Sequence, residues 1–481
     1  MNNFNNLKPY EVLCWFYEIC KIPHGSGNTE AIADFIVNFA ENRGYKYVKD
    51  GANNVIIYAN GTEGYENSKP IILQGHTDMV CEKEIHCNID METEPIKLCT
   101  DGEFLWAEGT TLGADNGIAV AYMLAVLDNK EIPHPPLECL FTSDEEIGMV
   151  GARSLDVNNL NTNLLINIDS EEEGVLTVSC AGGVRANCHI PIEKDNFTGT
   201  GYKIVIKGLR GGHSGIEINQ HRINAIKLMS EMLHGIHRKT GFRMSNIKGG
   251  NKDNVIPTSC ECNICVEDIN SQKFLQVAES VAKGLKVSKQ ITEPNIDITI
   301  EKVDTPLECL TTASTEKILF ALLQAPDGVC TMSPDIPDMV QTSLNLGVLT
   351  TEKDNIYMRF FVRSNAATGK QALVLKLQSF FEYLDGTIEF RNDYPAWEYN
   401  HNSKLRDMMV ETFNDLYGYQ PQVTALHAGL ECGILSGKIS NMDAVSFGPD
   451  MYNVHTPQEK VSIPSVERCW NYLKAVLKNC K

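Results

Sequence analysis

Apolar runs recur along the chain, and several stop at the same kind of residue. Ile71–Asp78 reads IILQGHTD, a buried strand that ends in Gly75 and then sets out His76 and Asp78. LECLFTS stops at Asp144-Glu145-Glu146, LLINI stops at Asp169, and AVSFGPD leads into a loop carrying His455. Asp115, in TTLGADNGIA, precedes an apolar helix predicted over Gly117–Leu127. The pattern also predicts helices over Pro9–Cys20 and Thr29–Asn42, the second with Asn28 as N-cap and Arg43-Gly44 as its end. Strands are predicted over Asn54–Asn60, Ile71–Gln74, Leu137–Ser143 and Leu164–Ile168. Unbroken apolar runs suit strands covered on both faces, and their alternation with helices predicts an α/β fold with a largely parallel sheet. In such sheets ligands bind beyond the carboxyl ends of the strands. His76, Glu145, Glu146 and Asp169 all stand at such ends.

From about Val184 the texture changes. YKIVIKGL, TSCECNICVE, NIDITIEKV, IYMRFFVRS and TIEFRND read as strands, with helical stretches at His221–Ile236, Gln272–Val287, Thr315–Gln324 and Lys370–Leu384. This is an α+β pattern. After Tyr394-Pro395 the first texture returns, with a helix over Ser403–Tyr417, a strand over Ala444–Phe447 and a last helix from Ser465. The expected organisation is one discontinuous domain, residues 1–185 plus 395–481, with a second domain, 186–394, inserted into it.

Length and charge narrow the classes. A chain of 481 residues is expected to form more than one domain. A net charge of −20 disfavours nucleic acid and anionic membrane as partners. MNNFNNLKPYEVL lacks the basic and apolar segments of a secretory signal. IAVAYMLAVL is about half of the ~20 residues that span a bilayer. The expectation is a soluble, cytoplasmic protein. The 16 cysteines follow no framework spacing and are expected to be reduced and partly buried. CECNIC lies in an alternating strand pattern that turns Cys262 and Cys265 to opposite faces, which argues against a thiolate site.

The histidines and carboxylates at the strand ends are nitrogen and oxygen ligands for zinc, manganese or cobalt. In His76-x-Asp78 one side chain can bind metal while the other orients it. In Glu145-Glu146 the two carboxylates diverge, so that one can coordinate while the other faces a water. A lone HxD or EE is commonly surface decoration; the weight lies in several such features at equivalent sheet edges. Taken in order, GHTDMV, GADNG, TSDEEIGMVGA, NIDSEEEG, GGHSG, NVIP and the His455 segment resemble the M20 metallopeptidases. GADNG, INIDSEEEG, LRGGHSGIEI and HAGLECGIL are most similar to the bacterial aminoacyl-histidine dipeptidases of that group. The resemblance runs from about residue 10 to 475. It implies a catalytic domain of zinc-peptidase type with an inserted lid and dimerisation domain. It also implies two divalent metal ions, with zinc expected and manganese or cobalt as alternatives. His76 and Asp169 would hold one ion, Glu146 and His455 the other, and Asp115 would bridge them. Asp78 would buttress His76, and Glu145 would be the general base.

For the insert, the resemblance implies that His213, in RGGHSG, stabilises the oxyanion from the neighbouring subunit of a homodimer. Asn254 in DNVIP and Arg363 in FFVRS match substrate clamps, and Arg suits a free carboxylate; the alternative for Arg363 is a surface ion pair. His427 and Glu431, in HAGLECG, are expected near the pocket, with Glu431 holding a free amino group. His24, His86, His134, His189, His221, His234, His237 and His401 read as structural or solvated. The implied activity is hydrolysis of dipeptides, Xaa-His and β-alanyl-histidine included, with broad tolerance at the first residue. The alternatives are another M20-type hydrolase (aminotripeptidase, carboxypeptidase or N-acyl amino acid deacylase) and a non-catalytic metal-binding homologue.

Overall fold

Ile71–His76 is buried at every position, as its unbroken apolar run requires, and lies inside an eight-stranded sheet. The computed structural model describes residues 7–306 and 308–481. The sheet runs Lys46–Lys49, Val55–Ala59, Leu137–Thr142, Ile71–His76, Leu164–Asn167, Asp443–Ser446, Val175–Cys180 and Gln422–Leu426. Its centre is parallel: Ile71–His76 pairs in that sense with Leu137–Thr142 and Leu164–Asn167, and Leu164–Asn167 with Asp443–Ser446. Lys46–Lys49 with Val55–Ala59, Val55–Ala59 with Leu137–Thr142, and Asp443–Ser446 with Val175–Cys180 pair antiparallel. The expected parallel layer is therefore found, as the core of a mixed sheet. These strands end together, and that brings the residues after them to one edge.

The helix Ala114–Asp128 is buried nearly all round, which its apolar sequence predicts, and packs on Ile71–His76. Tyr122 stacks on Trp470 of the last helix, Ile463–Asn479. Gly75 marks the closest approach: a Cβ there would meet Asn116 Oδ1 at 2.4 Å and Ala119 Cβ at 2.6 Å. The helix begins earlier than Gly117, at Ala114, but Asp115 and Asn116 keep non-helical backbone angles.

Two compact units result. One comprises the described residues through Cys180 with Trp397–Ala425 and Leu430–Lys481; the other comprises Ala181–Ala396 and Leu426–Gly429. His427 thus belongs to the second unit and Glu431 to the first. The second unit is built on an antiparallel sheet ordered Asp297–Val303, Thr200–Lys207, Cys260–Val266, Arg243–Gly249, Val340–Thr351, Asn355–Ser364, Gly182–Pro191 and Thr387–Tyr394. The helices Ala225–His237, Ser271–Lys289, Thr312–Gln324 and Ala367–Tyr383 share its apolar core. The expected α+β insert is what this unit is.

Two local expectations fail. The second helix runs Glu30–Arg43 with Thr29, not Asn28, at its N-cap; the Asn28 amide donates to the Glu92 carbonyl. Not every cysteine is free: Cys265 and Cys309, both fully buried, form a disulfide. They are 44 residues apart, a spacing with no local signature, and they meet because Glu308–Leu310 packs beside the Arg243–Gly249 strand. No helix among the described residues is long and apolar enough to cross a membrane.

Candidate metal centre and anion-binding cluster

In the first unit, the strand ends and two loops bring His76, Asp115, Glu146, Asp169 and His455 together. Asp115 lies between the imidazoles: its Oδ1 is 3.1 Å from His76 Nε2 and its Oδ2 is 3.1 Å from His455 Nε2. Asp169 Oδ1 is 3.5 Å from His76 Nε2, and Glu146 Oε1 is 2.7 Å from His455 Nε2. The ligand atoms thus fall into two half-sites that share one carboxylate. Single donor atoms of His76, Asp115 and Glu146 lie within 4.8 Å of one another. This nitrogen and carboxylate donor set fits divalent cations of the zinc type.

The electrostatics fit as well. Burial opposes a proton on His76, yet Asp169, Asp115 and Asp78 hold its pKa well above the ordinary value. Hydrogen bonds to Asp115 and Glu146 raise His455 to about 11. Asp115 in turn is held below the usual carboxylate range by both imidazoles, against the cost of burial. Burial, with Asp115 and Glu146 nearby, pushes Asp169 up to about 6 although His76 opposes it. A field that holds protons this firmly on two imidazoles would hold cations in the same place.

Asp78 organises the neighbouring backbone. Its Oδ1 accepts from the Glu145 N–H at 2.9 Å, and its Oδ2 accepts from the Glu146 N–H at 3.2 Å and from Ser26 Oγ at 2.8 Å. His76 Nδ1 lies 3.0 Å from the Asp78 carbonyl and 3.4 Å from its carboxylate. Burial disfavours the Asp78 charge, but these donors outweigh it and bring the pKa down to about 2. Glu145 is raised well above the carboxylate range by burial and by Asp169, Glu431 and Glu146, with His76 opposing. A carboxyl group so raised is suited to carrying a proton.

Glu431 is fully buried. Gln74 Nε2 and Thr142 Oγ1 each donate to its Oε2 at 2.6 Å, while its Oε1 has no partner. Burial pushes its pKa up to about 7.

The second unit holds a different chemistry. Arg363 is only 4% exposed, so it is not a surface ion-pairing residue. Its guanidinium lies over the Phe361 ring at 4.0 Å, and its Nε has no acceptor. A Cβ on Gly215 would sit 2.5 Å from the His427 carbonyl, 2.9 Å from His213 Cε1 and 3.2 Å from Arg363 Nε, so this glycine is where the three converge. His213 Nδ1 accepts from the Gly215 and Ile216 N–H groups at 3.2 and 3.1 Å. That fixes the tautomer with its proton on Nε2, free to donate. His427 Nε2 is 2.7 Å from Ser343 Oγ and its Nδ1 is 3.0 Å from Asn365 Oδ1; burial, with Arg363 and His213, lowers its pKa to about 3. Asn254 enters this region through its main chain, its carbonyl accepting from the Ser214 N–H at 2.9 Å. A buried arginine flanked by neutral imidazoles has the chemistry to receive an anion.

Two polar residues outside the expected set hold the metal centre in shape. Asn116 Oδ1 accepts from the His76 N–H at 3.2 Å and its Nδ2 donates to the Ile168 carbonyl at 2.7 Å. Glu459 accepts from the backbone just before Asp115. Each lies within four residues of an expected ligand, which was the only sequence signal available.

A family model, peptidase family M20/M25/M40, matches residues 72–479. The cytosol non-specific dipeptidase of Escherichia coli (strain K12) is 36% identical over 480 residues, 99% of this chain and 99% of its own. Peptidase T of Alkaliphilus oremlandii is 32% identical over 26% of this chain and 27% of its own. The crystal structure of aminoacylhistidine dipeptidase from Vibrio alginolyticus matches with a TM-score of 0.94 at 37% identity, covering 99% of this chain and 98% of that one.

Proposed function

This chain belongs to peptidase family M20/M25/M40 and is a metallopeptidase, and from that premise we propose that it hydrolyses dipeptides, Xaa-His substrates and β-alanyl-histidine among them, with broad tolerance at the first residue. The observation that carries the reading is Asp115, each of whose oxygens faces a different imidazole. In this reading His76 and Asp169 hold one divalent ion, Glu146 and His455 hold a second, and Asp115 serves both; zinc suits the donors, with manganese and cobalt as alternatives. Such ions supply a water nucleophilic at neutral pH and a polarised carbonyl.

The chain's own groups do the rest. Glu145 takes the proton of the attacking water and passes it to the leaving amine. His213, reaching in from the neighbouring subunit of a homodimer, donates its Nε2–H to the oxygen on which charge develops. Glu431, with its free Oε1, takes the substrate's ammonium group, and Arg363 takes its carboxylate, with Asn254 and His427 shaping the surroundings. The full-length likeness to a cytosolic, non-specific dipeptidase and to an aminoacylhistidine dipeptidase supports the dipeptide class, the first-residue tolerance and a cytoplasmic place. A homodimer through the inserted unit completes the proposal.

The test is metal content per chain together with turnover on free dipeptides, tripeptides and N-acetyl amino acids, each with zinc, manganese or cobalt. Metal-dependent cleavage of histidine-ending dipeptides is expected. Preference for tripeptides or N-acetyl amino acids would move the protein to another activity, and equal rates with and without metal would end the reading.

A further inference from the structure

Glu459 is 2% exposed and has no cationic partner among its hydrogen bonds. Its Oε2 accepts from the N–H groups of Leu112 and Gly113 at 2.7 and 3.1 Å, and its Oε1 accepts from that of Ala114 at 2.8 Å. Three successive amides that converge on one carboxylate need a turn, and Gly113 supplies it with a φ of +69°. The next residue along the chain is Asp115.

The other side of the contact matters equally. Glu459 lies four residues after His455, which has a φ of +62°, a conformation that costs a side-chain-bearing residue energy and persists only if its surroundings impose it. The 453–459 loop is tied internally by the bond from Glu459 N–H to the Thr456 carbonyl at 3.0 Å and by that from Thr456 Oγ1 to the Asn453 carbonyl at 2.7 Å. At its far end it runs into Lys460–Ser462, which pairs with Phe104–Ala107. The Glu459 carboxylate is thus the clasp between the loop that carries one imidazole and the turn that carries the shared carboxylate.

We propose that Glu459 is a positioning residue for the metal centre: it sets the 112–114 turn so that Asp115 offers one oxygen to each half-site while His455 stays in register with it. The inference rests on the two-cation reading above. It requires the charge as well as the shape, because an amide in place of the carboxylate turns an N–H donor towards N–H donors.

The experiment compares wild type with Glu459→Gln and Glu459→Asp. The readouts are zinc stoichiometry and affinity by competition with a chromophoric chelator, and turnover against free zinc. Glu459→Gln is expected to bind at least one zinc about 10–100-fold more weakly. Its turnover should recover at high zinc, with the half-saturating concentration raised by the same factor, while the metal-free far-ultraviolet circular dichroism matches wild type. Glu459→Asp, which keeps the charge, should fall between the two. A purely structural role would lower the metal-free melting temperature and leave zinc affinity of the folded protein unchanged; that result overturns the proposal. Should Glu459→Gln fail to fold, hydrogen exchange on the metal-free wild type decides: the amides of residues 112–114 must be protected, and fast exchange there overturns it. A wild type that binds no divalent ion removes the two-cation reading itself, an outcome distinct from equal affinities in wild type and variant.

Discussion

Replacing Asn116 with alanine should destabilise the first unit far more than a polar-to-alanine change usually does. The side chain joins three ligand-bearing segments: it comes directly after Asp115, accepts from the His76 N–H, and donates to the Ile168 carbonyl just before Asp169. Asn116 is 1% exposed, so water cannot readily replace it. The truncation leaves one donor and one acceptor unsatisfied, at about 1–3 kcal/mol each, and opens a void beside Gly75, so a loss of about 3–5 kcal/mol is expected. Against a typical stability of about 5–15 kcal/mol this is a large fraction. The assay is urea unfolding of metal-free wild type and Asn116→Ala, monitored by tryptophan fluorescence, with the urea dependence checked to be the same in both. Metal-free protein is used so that lost ion binding does not enter the difference. A loss below about 1 kcal/mol would refute the reasoning, because two stranded buried groups cannot cost so little.

Glu145→Gln should keep its metal content and lose ~10²–10⁴ in kcat, measured by elemental analysis beside turnover; parallel loss of metal and activity would contradict a base that is not a ligand. Arg363→Lys should raise KM for dipeptides with a free carboxylate about 10–100-fold, from one or two lost charge-assisted bonds, and change little for C-terminally amidated substrates; equal effects on both would remove the carboxylate from the argument. His427, lowered to about 3, is neutral when folded, so the unfolded chain binds more protons between its ordinary value near 6.5 and about 3. Stability is therefore full above that window and falls with falling pH inside it. Wild type should lose on the order of 3–5 kcal/mol more than His427→Gln between pH 7 and pH 3, read from urea midpoints at each pH. Parallel profiles for the two proteins would refute the assignment.

How far each feature is legible in the sequence depends on how it arises. The parallel centre was legible because strands covered on both faces carry unbroken apolar runs, as Ile71–His76 and Leu137–Thr142 do. The residues after those runs were legible with them, since strands that end together deliver their next few side chains to one edge. Asn116 and Glu459 were not. A single amide or carboxylate in a sequence looks like surface, and only the fold shows that Glu459 faces amides more than 340 positions away. The Cys265–Cys309 pair was hidden for the same reason. The placement of Asn28 was one residue early: Thr29 takes the N-cap position without a side-chain cap bond, so no capping contact marked the start.

The two buried clusters carry opposite surpluses of charge. In the first, Asp78, Asp115, Glu145, Glu146, Asp169 and Glu431 outnumber the two imidazoles among them, and burial with mutual repulsion drives Asp169 to about 6 and Glu431 to about 7. A core selected for stability alone would replace such groups with apolar ones. Their presence, with Asp78 and Glu431 clamped by backbone N–H groups, hydroxyls or an amide, fits the proposed binding of positive groups in this unit. In the second, Arg363 has an Nε without an acceptor, and His427 is kept neutral beside it, a setting that suits a negative group. A free dipeptide brings an ammonium at one end and a carboxylate at the other. If Glu431 takes the ammonium as proposed, N-acylation would leave its Oε1 unpaired, at a cost that such a buried group imposes in full. On the proposed role of Glu431, that contact alone would disfavour the N-acyl amino acid.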